Sequence, residues 1–158
     1  MLFNSIEYIV FLAGIILAYF ILPHGARVWL LLIASYGFYM RWRWQYGFLL
    51  FGVTLVNYLA GLVISATTHK QRRTAALAGA VFVSIGLLGF FKYLNFVNDS
   101  LRSLAAAGGF HWGIPELDIL LPVGISFFTF QAVGYTIDVY RGSCPAERHL
   151  GRFCLYVA

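Results

Sequence analysis

Four histidines, one serine in a Gly-Ile-Ser turn and one polar helical face are the residues of this 158-residue sequence whose types could do chemistry. Acyl transfer by a side chain needs a general base within reach of a hydroxyl or thiol, with a third group to orient it. His24 follows Pro23 at a turn, His69 lies in the basic stretch TTHKQRR, His111 lies in a glycine-rich stretch and His149 follows Arg148. None sits inside an apolar run beside an orienting partner, so all four read as solvated loop residues and no catalytic residue is assigned. Ser126 lacks the closing glycine of a nucleophile elbow, because Phe128 stands at that position. It reads instead as a hydroxyl that bonds back to a helix carbonyl. Cys144 and Cys154 have neither C-x-x-C spacing nor neighbouring ligands, which makes them small apolar fillers. No metal-ligand spacing and no phosphate-cradling glycine loop is present.

The polar face belongs to residues 121–142, LPVGISFFTFQAVGYTIDVYRG. On a helix Gln131, Tyr135 and Asp138 stand at i, i+4 and i+7 and share one side, while Thr129 and Thr136 share another. The segment is apolar enough to enter a bilayer, yet an unpaired polar group in lipid costs several kcal/mol. Such groups turn toward a bundle interior or a watery cavity. Gln131, Tyr135 and Asp138 are therefore expected either to line a tunnel or to tie helices together. Asp138 and Arg141, at i and i+3, form a candidate ion pair worth about 0–1 kcal/mol at a surface. Pro122 and Gly124 mark a place where a broken or re-entrant helix can begin, with its freed backbone buried in protein.

The elements that must position this face are apolar runs. Hydrophobic residues make up 61% of the chain and charged residues 11%, against roughly 45–50% and 25% in soluble domains. Mean hydropathy is +0.79. Spanning a hydrocarbon core takes about 20 apolar residues, and runs at residues 3–22, 27–40, 46–66, 75–91 and 121–142 approach that length. The sequence predicts an all-α integral membrane protein with about five membrane-embedded helices in a single membrane domain over residues 1–158. The first run has no positive n-region or cleavage site and carries Glu7, so it is read as a retained span. Arg41-Trp42-Arg43-Trp44 reads as an interfacial belt. A polar, glycine-rich connection is expected over residues 95–116, and residues 153–158 read as the start of a further run that the sequence does not complete.

The net charge of +5 is spread over the ends of these runs, not clustered with aromatics in one groove, which excludes nucleic acid as a partner and leaves the lipid bilayer. With the N-terminus outside, Arg27, Lys70, Arg72, Arg73, Arg141, Arg148 and Arg152 fall on the cytoplasmic side, seven of the eleven cations. Glu7, Asp99, Glu116 and Asp118 fall mostly outside, and the positive-inside rule favours that orientation. Small residues recur at helical spacing in two runs: Thr54, Asn57, Gly61 and Ser65 in one, Gly79, Gly86 and Gly89 in the other. Both stripes are expected at helix–helix contacts, with Asn57 the side chain most able to do more.

Residues 121–142 closely resemble the L-P-x-G-I-S-F-x-x-F-x-x-x-x-Y-x-I-D-V-Y-R-G signature of membrane-bound O-acyltransferases. The branch with alginate O-acetyltransferases and D-alanyl transfer proteins is the most similar. LLLIASYGFYMRWRW at residues 30–44, FGVTLVNYLAGLVI at 51–64 and LGFFKYLNF at 88–96 resemble the same branch in order and spacing. The resemblance implies an enzyme moving an acyl group, with acetyl the expected one, from a cytoplasmic donor to hydroxyls of an extracytoplasmic polysaccharide such as alginate. It implies no covalently bound cofactor, with acetyl-CoA as the candidate cosubstrate. It also implies the bacterial inner membrane, and extracytoplasmic polysaccharide-modifying proteins as candidate partners. In the family the catalytic base is a histidine in a Trp- and His-rich stretch far downstream, which these 158 residues do not contain. The chain is thus expected to be the N-terminal portion of a larger bundle, packing against the remaining helices. Two rival readings remain, a transporter subunit and a non-catalytic membrane scaffold. The first lacks a second interrupted helix and repeat symmetry.

Overall fold

The computed structural model describes residues 6–42, 44–108 and 124–158. His111, Glu116, Asp118, Pro122, Arg43 and residues 109–116 of the glycine-rich connection lie outside them. Among the described residues the chain forms six α-helices: α1 (Ile6–Ile21), α2 (His24–Trp42), α3 (Trp44–Ala66), α4 (Lys70–Ala107), α5 (Ile125–Arg141) and α6 (Leu150–Val157). Pro23 breaks the first apolar stretch from the second, and three residues at 67–69 reverse the chain between α3 and α4.

α3 is the centre, in contact with α2, α4, α5 and α6, while α5 packs on α3, α4 and α6. Their shared core holds Leu50, Val53, Leu88, Ile125, Phe128, Ala132, Phe153 and Val157. α1 packs on α2 alone, setting Tyr8 and Phe11 against Phe38 with ring centroids 5.8 and 6.5 Å apart. No described residue of α1 is buried. Large apolar side chains such as Ile21, Phe82 and Phe127 point outward, which in water would be an aggregation surface and in a bilayer faces lipid.

Two helical stretches, Trp44–Ala66 and Lys70–Leu94, are long and apolar enough to cross a membrane. The sequence led us to expect about five membrane-embedded helices. α1 is apolar but has 16 residues, about 24 Å of rise, and α6 has only eight. The expected polar connection from residue 95 is corrected, since α4 continues to Ala107. Residues 95–107 contain no Gly or Pro. Ser100 and Ser103 return their hydroxyls to the carbonyls of Phe96 and Asp99 at 2.7 and 2.9 Å. At 38 residues α4 is about 57 Å long, well beyond a hydrocarbon core of about 30 Å.

The two small-residue stripes part company. Thr54, Asn57 and Gly61 are buried at the contacts of α3, whereas Ser65 is exposed. On α4 the glycine stripe is not the contact face: a Cβ on Gly79, Gly86 or Gly89 would meet nothing within 4 Å. The buried side is Ala80, Ser84 and Leu88, because that side carries the one hydroxyl for which α3 offers a partner.

Candidate functional site

The signature helix is bounded by two glycines that an ordinary residue would strain. Gly124 before α5 has φ +82° and Gly142 after it has φ +79°, a left-handed conformation that favours glycine. At the C-terminal end the Gly142 N–H donates to the Val139 carbonyl and the Ser143 N–H to the Asp138 carbonyl, at 3.2 and 2.9 Å. That is the Schellman pattern. It turns the chain back so that residues 142–149 and α6 lie along one side of α5.

One side of α5 is locked inside the bundle. Thr129 and Thr136 are fully buried. Thr136 Oγ1 donates to Asn57 Oδ1 at 2.8 Å, and Asn57 Nδ2 donates to Ser84 Oγ at 2.8 Å and to the Val53 carbonyl at 2.9 Å. One amide thereby joins α3, α4 and α5. Polar groups at this depth have no water to fall back on. Thr136, Asn57 and Ser84 satisfy one another, whereas the equally buried Thr129 Oγ1 has no hydrogen-bond partner among the described residues. Asn57 was singled out from the sequence and Thr136 was placed on a polar side. Ser84 was missed, although it is the sole polar side chain in the run 75–91.

The side bearing Gln131, Tyr135 and Asp138 meets α6 and the 142–149 loop. Gln131 Nε2 donates to the Tyr156 carbonyl. The Tyr135 hydroxyl accepts the Glu147 backbone N–H at 2.9 Å, and its ring lies against Phe153 with centroids 4.4 Å apart. On the opposite flank Gly61 leaves no room: a Cβ there would stand 3.0 Å from Tyr135 Cε1. Asp138 is exposed one turn further on, and Arg141, at i+3 from it, is exposed as well.

Tyr135 and Asp138 line a recess of about 400 Å³ together with Cys144, Pro145, Glu147, Arg152, Phe153 and Tyr156. Gln131 is not part of its lining. The volume is in the range of small-ligand clefts. Its polar groups are two carboxylates, a guanidinium, a thiol and two phenols. Cys144, Glu147 and Arg152 were not foreseen as neighbours of α5, because the turn at Gly142 that brings them back is a backbone conformation, not a periodicity.

His24, His69 and His149 are exposed, and the His149 N–H donates to Glu147 Oε1 at 2.9 Å. No described histidine lines the recess. Among the described residues no group of three or more His, Cys, Asp or Glu is placed to hold a metal ion. Cys144 is a free thiol. Burial pushes its ionisation upward, and the Asp138 carboxylate adds to the shift by opposing a second negative charge. With Cys154 replaced by Ala, iodoacetamide alkylation of Cys144 should reach half its maximal rate above the ordinary thiol value of about 8.5. Asp138→Asn should bring that midpoint down, since one of the two causes is gone. A midpoint at or below the ordinary value in both proteins would show that Asp138 and the thiol do not share the recess.

Comparison with curated proteins gives matches over 89% to 100% of the chain. The probable alginate O-acetylase AlgI of Pseudomonas aeruginosa is 41% identical over the whole chain, which covers 31% of that protein. That of Azotobacter vinelandii is 43% identical over 89% of the chain, or 28% of its own length. The peptidoglycan O-acetyltransferase of Helicobacter pylori is 34% identical over 89% of the chain, or 27% of its own length. The chain thus spans about a third of the length of the curated relatives it matches. No protein-family model and no solved structure matches it.

Proposed function

The chain belongs to the alginate O-acetylase branch of the membrane-bound O-acyltransferases, and from that membership we propose that it forms part of the membrane domain of an O-acetyltransferase. The enzyme moves an acetyl group from a cytoplasmic donor, acetyl-CoA, to hydroxyls of an extracytoplasmic polysaccharide. Alginate and peptidoglycan, the polymers in the relatives' names, share only the sugar hydroxyl as acceptor, so hydroxyl acetylation is the part of the reading with most support. About five helices enter the bacterial inner membrane, with the N-terminus outside. In this reading, helices outside these 158 residues cover the open faces of the bundle and supply the catalytic histidine. Extracytoplasmic polysaccharide-modifying proteins are the proposed partners. Transporter and scaffold readings are not favoured by relatives whose names all describe O-acetylation.

One observation carries the chain's own share of the work: the signature helix, clamped by α3, α4 and α6, opens Tyr135 and Asp138 of its polar side on a recess. The recess forms one wall of the acyl-transfer passage. Its residues do not perform the proton transfer. They exclude lipid, admit water and polar groups, and fix the wall against which the reactants align. Misplacement by about 1 Å far from the chemistry can cost about a hundredfold in rate, so a wall of this kind has kinetic weight.

A helix-tying role is favoured for two of the three residues by their bonds, Gln131 to α6 and Tyr135 to Glu147. Asp138 is where the readings separate. In the full gene product, Asp138→Ala is expected to lower acetyl transfer per molecule about tenfold with membrane yield unchanged. Reduced yield with unchanged activity per molecule would assign Asp138 to tying as well.

A further inference from the structure

The chain's net charge is gathered at one end of the bundle. Three contacts bring the segments of that end together. Arg73 Nη2 donates to the Tyr140 carbonyl at 2.6 Å, joining the start of α4 to the end of α5. The Tyr58 hydroxyl donates to the Arg148 carbonyl at 2.6 Å, joining α3 to the 142–149 loop. Gly151 lies against Trp29, joining α6 to the start of α2. The end so formed carries seven of the eleven cations and two of the six carboxylates, a balance of +5 that equals the net charge of the whole chain.

Two of the seven cations are turned inward. The Arg27 guanidinium lies 4.8 Å from the Tyr19 ring centroid and donates to the Leu22 carbonyl, and Arg73 lies over Tyr140 at 5.3 Å. Arg152 faces Asp138 and Glu147 around the recess. Lys70, Arg72, Arg141 and Arg148 remain exposed. The first turn of α4 holds no acidic residue, although a helix N-terminus is itself positive and favours carboxylates. Lys70 and Arg72 stand there exposed against that preference, an arrangement that anionic counter-charge from outside the chain would relieve.

We propose that this end is a docking face for anionic phospholipid headgroups, with Lys70, Arg72, Arg141 and Arg148 reaching their phosphates. Clusters of four to eight Lys and Arg beside a membrane segment bind anionic lipid in this way. The neighbouring apolar helices, which place the face at headgroup level, favour lipid over a soluble phosphate. The inference rests on the membrane reading and is independent of the acyl-transfer chemistry.

The test is a thermal-unfolding series on the full gene product in neutral detergent, with added phosphatidylglycerol, phosphatidylcholine or inorganic phosphate. Phosphatidylglycerol should raise the midpoint by about 3–5 °C over phosphatidylcholine. The Lys70→Gln, Arg72→Gln, Arg141→Gln triple variant should lose most of that difference, while Arg41→Gln, Arg102→Gln should keep it. Raising NaCl to about 0.5 M should also remove it, by screening, which keeps the test decisive if the triple variant fails to fold. Equal shifts with both lipids, or equal loss in the two sets of variants, would overturn the proposal. The same shift with inorganic phosphate would reassign the face to a soluble phosphate and overturn it as a lipid site.

Discussion

Asn57→Leu is expected to be among the most damaging substitutions in the chain. It removes the amide that receives Thr136 and reaches Ser84, leaving the Ser84 hydroxyl without that donor and the Thr136 hydroxyl with only the Ala132 carbonyl at 3.1 Å in an apolar interior. Each buried unsatisfied group costs about 1–3 kcal/mol, while hydrogen bonds between membrane helices average about 0.6 kcal/mol because the unfolded state also finds partners. A net loss of about 2 kcal/mol follows, roughly a thirtyfold shift toward unfolded protein. Thermal unfolding or folded yield of the full gene product measures it. Replacing all three residues, with Asn57→Leu, Ser84→Ala and Thr136→Val, should recover part of the loss, because no polar group is then left unpaired. A triple variant worse than Asn57→Leu alone would show that the three side chains do not form one network.

Gly61→Val is expected to act on α5 from the opposite flank. A Cβ there stands 3.0 Å from Tyr135 Cε1 and 3.1 Å from its hydroxyl oxygen. Tyr135 has little freedom to yield, since Phe153 lies against its ring at a tilt of 46° and the Glu147 N–H holds its hydroxyl. Overpacking of this kind costs about 1–3 kcal/mol. If the Tyr135 side is part of the acyl-transfer wall, acetylation per molecule falls further than yield does. Pairing Gly61→Val with Tyr135→Ala should give a stability loss clearly smaller than the sum of the single losses. Simple additivity would mean that Gly61 and Tyr135 are not in contact.

The sequence made these two sites legible to different degrees. Asn57 stood out because a lone amide in an apolar run has few places to go, and Gly61 because it continues the same helical side. The placement of Thr136 on a polar side of α5 was also readable from spacing. The partner on α4 was not. Spacing within one helix does not say which side its neighbour will occupy, and the three glycines of α4 were a more conspicuous stripe than the single Ser84 that is actually buried. α4 ran past its expected end for a related reason. Apolarity marks where a membrane lies, whereas this helix runs through Gly79, Gly86 and Gly89 and, with no Gly or Pro from residue 90 to 107, ends only at the Gly108-Gly109 pair. The recess depends on the left-handed turn at Gly142, which folds Cys144, Glu147 and Arg152 back beside Tyr135. Sequence separation hides that return.

The most direct measurement exchanges the matched segment of the Pseudomonas aeruginosa relative for these 158 residues, in cells lacking that relative, and quantifies acetyl groups on the secreted alginate by NMR. The chain's proposed role as the equivalent part of an O-acetyltransferase requires that acetylation return, and that Asp138→Ala in the exchanged protein reduce it at equal membrane abundance. An exchanged protein present in the membrane at the normal level, with alginate as free of acetyl as in the deletion strain, would contradict that role.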